Sequence, residues 1–163
     1  DLAVLRFNTR GTASDAGRSE GTFDNGDAER YDVAAALDLV EFRDLPAPWL
    51  VGWSFGTDLA LRHRCDPAVV GAILIAPPLR YSAAADLATW AASGKPVVAI
   101  VPELDDYLRP PEARERFAAI PQARVVEIVG GKHLLVGYTE EVLDAIVETV
   151  VPSRAPLPRT FAE

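Results

Sequence analysis

The sequence predicts an α/β sandwich, a mostly parallel sheet with helices packed on its faces. Two observations predict it. Short runs rich in Val, Ile and Leu recur along the chain, and segments with helical spacing separate them. Strands buried on both faces read as such near-continuous apolar runs, and regular alternation with helices favours parallel pairing.

Five runs are expected as strands: residues 2–7, 49–52, 69–76, 97–101 and 125–129. Residues 27–42 carry Val33, Leu37 and Val40 at i, i+4 and i+7, one helical face. Residues 55–65 follow the second run, and residues 87–92 form a shorter candidate in the third crossover. Pro110 and Pro111 suit a first helical turn, with Ala113, Phe117 and Ile120 sharing a face after them. Residues 139–150 align Val142, Ile146 and Val150 behind an acidic start at Glu140 and Glu141. The expected order is strand then helix, five times, in one domain over residues 1–151. Residues 152–163, with three prolines and little apolar content, are expected as a flexible, unpacked tail.

Composition narrows the function. At 163 residues, 49% apolar and 25% charged, the chain has the makeup of an ordinary globular domain. A net charge of −8, with 16 scattered basic residues, argues against nucleic acid or an anionic membrane as partner. Cys65 is the single cysteine, so no intrachain disulfide forms, and no apolar stretch reaches membrane-spanning length. A cytoplasmic location is expected. Two histidines and one cysteine, far apart in sequence, offer no metal-ligand spacing; no cofactor is expected either, and neither phosphate-binding glycine motif occurs. The chain opens at Asp1 and contains no methionine, so a processed or amino-terminally truncated chain is expected.

Gly52-Trp53-Ser54-Phe55-Gly56 carries the chemistry. A G-x-S-x-G match arises by chance in roughly one chain in twenty of this length, so its context decides. Here an apolar run precedes it and a helical segment follows, the strand–turn–helix setting in which a serine hydroxyl stands exposed. Gly52 and Gly56 are expected to let strand and helix approach, and the Phe55 amide to face a developing oxyanion.

Serine needs a base. His63 lies nine residues along the same helix, about 13 Å away, out of reach. His133 follows Gly130, Gly131 and Lys132 in a turn after the last predicted strand, at the edge where open α/β sheets bind ligands. The orienting acid is expected after the fourth strand, where Glu103, Asp105 and Asp106 stand; Asp105 is preferred and Asp106 is the alternative. The long loop over residues 8–25 leaves the same edge. Tyr81 and Trp90, in a crossover too short for a lid domain, are candidate wall residues, although core or surface packing is the preferred reading of both.

Three regions carry a resemblance to a known family. Residues 5–11 with 17–21 and 23–26 form the first, the serine turn the second, and Pro102-Glu103-Leu104-Asp105 with Gly130-Gly131-Lys132-His133 the third. Over about residues 2–150 the chain resembles the small bacterial α/β-hydrolases related to dienelactone hydrolases and to serine-aminopeptidase-like esterases. The resemblance implies a serine hydrolase acting on a small-molecule acyl substrate, with Ser54, Asp105 and His133 in the triad and Phe55 in the oxyanion hole. Asp105 is favoured because the family's acid falls three residues after a small turn residue, here Pro102. It further implies strands ahead of residue 2. One of them would lie between the first two runs and lead into the second oxyanion donor. Either the first run closes directly on the second, or the chain is a fragment; half of the oxyanion hole is then missing. Dienelactone hydrolases proper carry cysteine at the turn, whereas Cys65 here reads as a packed helical residue. A hydrolase fold serving as a non-catalytic binding module is the alternative function.

Overall fold

Four parallel strands, β3 (Trp49–Trp53), β4 (Gly71–Ile75), β5 (Val97–Pro102) and β6 (Ala123–Ile128), form the central sheet in the order β3-β4-β5-β6. The computed structural model describes residues 2–15, 17–63 and 66–158. Every residue of β4 and β5 is buried, which is why both read as unbroken apolar runs. Their side chains divide by alternation. Ala72, Leu74, Val97, Ala99 and Val101 enter one core, while Ile73, Ile75, Val98 and Ile100 enter the other.

The first core is closed by α2 (Phe55–His63), α3 (Ala84–Ser93) and α4 (Pro110–Phe117), through Ala60, Leu61, Leu87, Trp90, Ala113 and Phe117. Leu37 of α1 (Arg30–Phe42) packs against the same cluster. Helix α5 (Thr139–Val150) covers the opposite face with Val142 and Ala145. The sheet is therefore sandwiched as expected, and the parallel register runs unbroken from β3 to β6.

Trp90 is wholly buried, and its indole N–H donates to the Leu61 carbonyl (3.1 Å). It belongs to the core between α2 and α3, not to a binding-site wall, because its one polar atom is satisfied inside the first layer.

One expectation fails. Residues 2–7 form no strand: they are exposed and lack a ladder partner among the described residues. Apolar composition can favour extended backbone, but a strand exists only when another chain segment offers its amides and carbonyls. The run does not close on β3, whose outer edge carries no partner among the described residues. Val51 and Trp53 there stay about half exposed. The long loop instead holds a small antiparallel ribbon, β1 (Ala13–Ser14) with β2 (Gly17–Arg18), which apolar patterning does not reveal.

Most of the described part of the tail is exposed. A 3₁₀ turn over Pro152–Arg154 follows α5, and the Leu157 amide donates to Asp144 (3.1 Å). Residues 159–163 and Cys65, with its expected helical packing, lie outside the described residues.

Candidate active site

Strand β3 ends and α2 begins within one residue, and Ser54 occupies the junction with φ of +50°. A non-glycine residue in the left-handed region is strained, and the surroundings hold it there. The Ser54 amide donates to the Ile75 carbonyl on β4 (2.9 Å), while its own carbonyl accepts from the Thr57 amide (2.9 Å) and hydroxyl (2.7 Å). Sheet and helix thus clamp the residue from both sides.

The two flanking glycines differ. A Cβ on Gly52 would lie 2.4 Å from the Gly56 carbonyl oxygen, so only glycine permits this approach of strand and helix. A Cβ on Gly56 would meet nothing within 4 Å. The expectation that both glycines are needed for close approach is corrected: the contact runs from the Gly52 α-carbon to the Gly56 backbone.

Three side chains distant in sequence converge at the carboxyl ends of the strands. Ser54 Oγ lies 2.8 Å from His133 Nε2. His133 Nδ1 lies 2.9 Å from Asp105 Oδ2. An ionised carboxylate only accepts, so this contact places the imidazole proton on Nδ1 and leaves Nε2 free to accept from serine. Asp105 is 2% exposed, and its second oxygen accepts from the amides of Tyr107 (2.7 Å) and Leu108 (3.4 Å). Asp106 is exposed and takes no part.

The acid turn and the histidine turn are joined by their backbones. Leu104 donates to the Gly131 carbonyl (2.8 Å), and Glu103 Oε2 accepts from the Gly130 amide (2.6 Å). Glu103, a candidate acid by sequence, therefore holds the loop that carries the histidine. Gly130 has φ of +74°, and a Cβ there would meet the Tyr138 hydroxyl at 2.6 Å, so the turn excludes a side chain on two grounds. His63 donates instead to the Gly26 carbonyl, remote from Ser54 in role as its position on α2 requires.

Beside Ser54 lies a cleft of about 300 Å³, walled by Phe23, Phe55, Tyr81 and Tyr107. The Phe55 ring is bracketed edge-on by Phe23 (5.2 Å) and Tyr81 (5.6 Å), and Tyr107 packs edge-on against the His133 ring (4.6 Å). Two buried carboxylates shape these walls. Glu29 accepts from the amides of Asp24 (2.8 Å) and Gly26 (2.9 Å), fixing the turn that presents Phe23. Asp58 accepts from the amides of Tyr81 (3.1 Å) and Ser82 (2.8 Å) and from the Ser82 hydroxyl (2.6 Å). Tyr81 is thus the one sequence-stated wall candidate that lines the cleft. Arg80 and Tyr107 escaped the sequence reading because no motif marks them; Phe23 fell in the long loop and in the stretch 23–26 that carries the family resemblance, but neither signal gave its side chain a role.

Among the described residues, no group of three or more His, Cys, Asp and Glu side chains is arranged to hold a metal ion. No helix among them is long and apolar enough to cross a membrane.

With this geometry established, the likeness to solved structures is specific. An α/β serine hydrolase homologue from Coxiella burnetii superposes with a TM-score of 0.72 at 27% identity, over 89% of this chain and 67% of that one. A lidless α/β serine hydrolase from Xanthomonas campestris gives 0.72 at 24% identity, over 94% and 67%. The ferulic-acid-bound Est1E from Butyrivibrio proteoclasticus gives 0.71 at 15% identity, over 89% and 74%. Neither a protein-family model nor a curated protein matches the chain. The protein belongs to the α/β-hydrolase superfamily. Its structural neighbours are serine hydrolases and esterases, and its fold is a hydrolase fold.

Proposed function

We propose that the protein is a serine hydrolase that cleaves an ester, thioester or amide of a small-molecule acyl substrate in the cytoplasm, through an acyl-enzyme on Ser54. The observation that carries this reading is the unbroken chain of contacts from Ser54 Oγ to His133 (2.8 Å) and from His133 to Asp105 (2.9 Å). His133 Nε2 takes the hydroxyl proton as Oγ attacks the carbonyl carbon. Asp105 holds the tautomer and stabilises the imidazolium that results. The Phe55 amide, at the first turn of α2, donates to the tetrahedral oxyanion, where the positive end of the helix dipole also acts. Collapse of the intermediate expels the leaving group, which takes the proton from His133. Water, deprotonated by the same imidazole, then releases the acyl group and restores Ser54.

The uncovered edge of β3, with Val51 and Trp53 half exposed, favours a second reading, a hydrolase fold used as a binding module. A fluorophosphonate probe separates the two. The enzyme reading expects covalent labelling of the folded protein that disappears in Ser54→Ala. Absence of labelling in well-folded protein rejects it and leaves the module.

A further inference from the structure

The cleft beside Ser54 has one cationic lining residue, Arg80. Among the described residues its guanidinium has no ion pair and no side-chain hydrogen-bond partner, although other arginines here do: Arg10 with Asp32, Arg62 with Asp27, Arg114 with Glu127. The guanidinium stands instead over two of the cleft's aromatic rings, 6.0 Å from the Tyr81 centroid and 5.9 Å from that of Tyr107. At these distances the rings attract the cation weakly, and its N–H groups donate to no side chain among the described residues.

The one acid lining the cleft, Asp58, does not neutralise it. That carboxylate is fully buried and occupied by the Arg80, Tyr81 and Ser82 amides and the Ser82 hydroxyl. The Arg80 backbone is therefore anchored through Asp58 while its side chain is directed elsewhere. Tyr107, whose ring centre lies 5.9 Å from the Arg80 guanidinium, also packs on the His133 ring, so the cation belongs to the rim of the same site. Long-range attraction works against an anion here, because the chain carries a net charge of −8. Selection of an anion has to come from a local, directional contact, which a planar guanidinium supplies to a carboxylate by paired N–H···O bonds.

We infer that Arg80 is a specificity residue that binds a second carboxylate on the substrate, so that the preferred substrates are esters carrying a free carboxylate group. This inference rests on the serine-hydrolase reading for turnover but not for binding.

The test compares mono-4-nitrophenyl glutarate with 4-nitrophenyl valerate, and 3-carboxyphenyl butyrate with phenyl butyrate. The first pair places the carboxylate on the acyl side, the second on the leaving group. One charge-assisted contact corresponds to about 10–100-fold. Arg80→Gln is expected to lower kcat/KM for the anionic member of at least one pair by that factor relative to the change in its neutral partner. Arg80→Lys restores part of the loss. Equal effects on anionic and neutral esters, or none, overturn the inference. A binding arm keeps the two readings separate: mono-4-nitrophenyl glutarate and 3-carboxyphenyl butyrate are titrated onto Ser54→Ala by calorimetry. Binding of either that weakens 10–100-fold in Ser54→Ala/Arg80→Gln supports the inference even if the wild type shows neither turnover nor labelling. Equal binding of both by the two variants, or no binding of either, refutes it whatever the catalytic outcome.

Discussion

The α-carbon of Gly52 faces the carbonyl of Gly56 so closely that a methyl group on it would lie 2.4 Å from that oxygen. The opposing contact is backbone, which cannot rotate away, so relief requires α2 to move relative to β3. Since Ser54 lies between the two glycines, any such movement also displaces the hydroxyl from His133. Gly52→Ala is therefore expected to lose about 1–3 kcal/mol of stability and most fluorophosphonate labelling. Gly56→Ala meets open space within a helix, and is expected to be neutral or stabilising by up to about 1 kcal/mol with labelling retained. Urea denaturation and probe kinetics on the two variants measure both quantities.

Asp105 and Asp106 are neighbours with opposite surroundings, one buried against His133 and the other exposed. In Asp105→Asn the side-chain oxygen still accepts from the Tyr107 and Leu108 amides, so the fold is kept. The amide no longer enforces the required tautomer, and ester hydrolysis is expected to fall by about 10⁴. Asp106→Asn is expected to leave the rate within about twofold, as for an exposed polar change away from the site. Steady-state rates with melting temperatures for both variants check the contrast.

Trp90 fills the core between the sheet and α3, and its N–H is bonded to Leu61. Trp90→Ala is expected to cost about 3–5 kcal/mol, as full truncation of a buried aromatic does. Trp90→Phe keeps most of the volume but removes the N–H donated to the Leu61 carbonyl, so the lost bond is expected to cost about 0.5–1.5 kcal/mol. Equilibrium unfolding distinguishes this from an active-site wall residue, whose loss would change KM with little change in stability.

The long loop is tied to α1 through Arg10, whose side chain donates twice to Asp32 (2.9 and 3.1 Å) and whose amide donates once (2.9 Å). The Arg10 side-chain hydrogen bond, followed by its amide and its charge, holds the Asp32 carboxyl below the usual carboxylate range against the opposing effect of burial. A depressed folded value means that the unfolded chain takes up the proton first as pH falls. The stabilisation is therefore complete above the ordinary aspartate value of about 3.9 and is lost as pH drops through the lower folded value. The stability gap between wild type and Asp32→Asn is expected to be widest near neutrality and to shrink in strong acid. Urea titrations at several pH values test the direction.

The legible parts of this protein are those in which local pattern and chemistry coincide. The buried strands β4 and β5 were visible as apolar runs because both their faces meet helices. The serine turn was visible because Gly52 has to be glycine and its neighbours switch from strand to helix. Residues 2–7 misled for the converse reason: they have the composition of a strand, but pairing depends on a partner that composition does not specify. Glu103 illustrates a role beyond sequence, since its bond to the Gly130 amide joins turns 27 residues apart.

The amino-acid sequence alone determined the α/β class, the alternation around a parallel sheet, and the candidates Ser54, His133 and an acid among Glu103, Asp105 and Asp106, because these follow from periodicity and from motifs of a few adjacent residues; the preference for Asp105 was supported by the family resemblance. Tertiary structure decided the rest. It set Asp105 rather than Asp106 against the imidazole, put Arg80 over Tyr81 and Tyr107, sent Trp90 into the core and left residues 2–7 without a partner. Those outcomes depend on which distant segments meet, and contacts across the sheet are set by packing of the whole chain rather than by the local preference of any part.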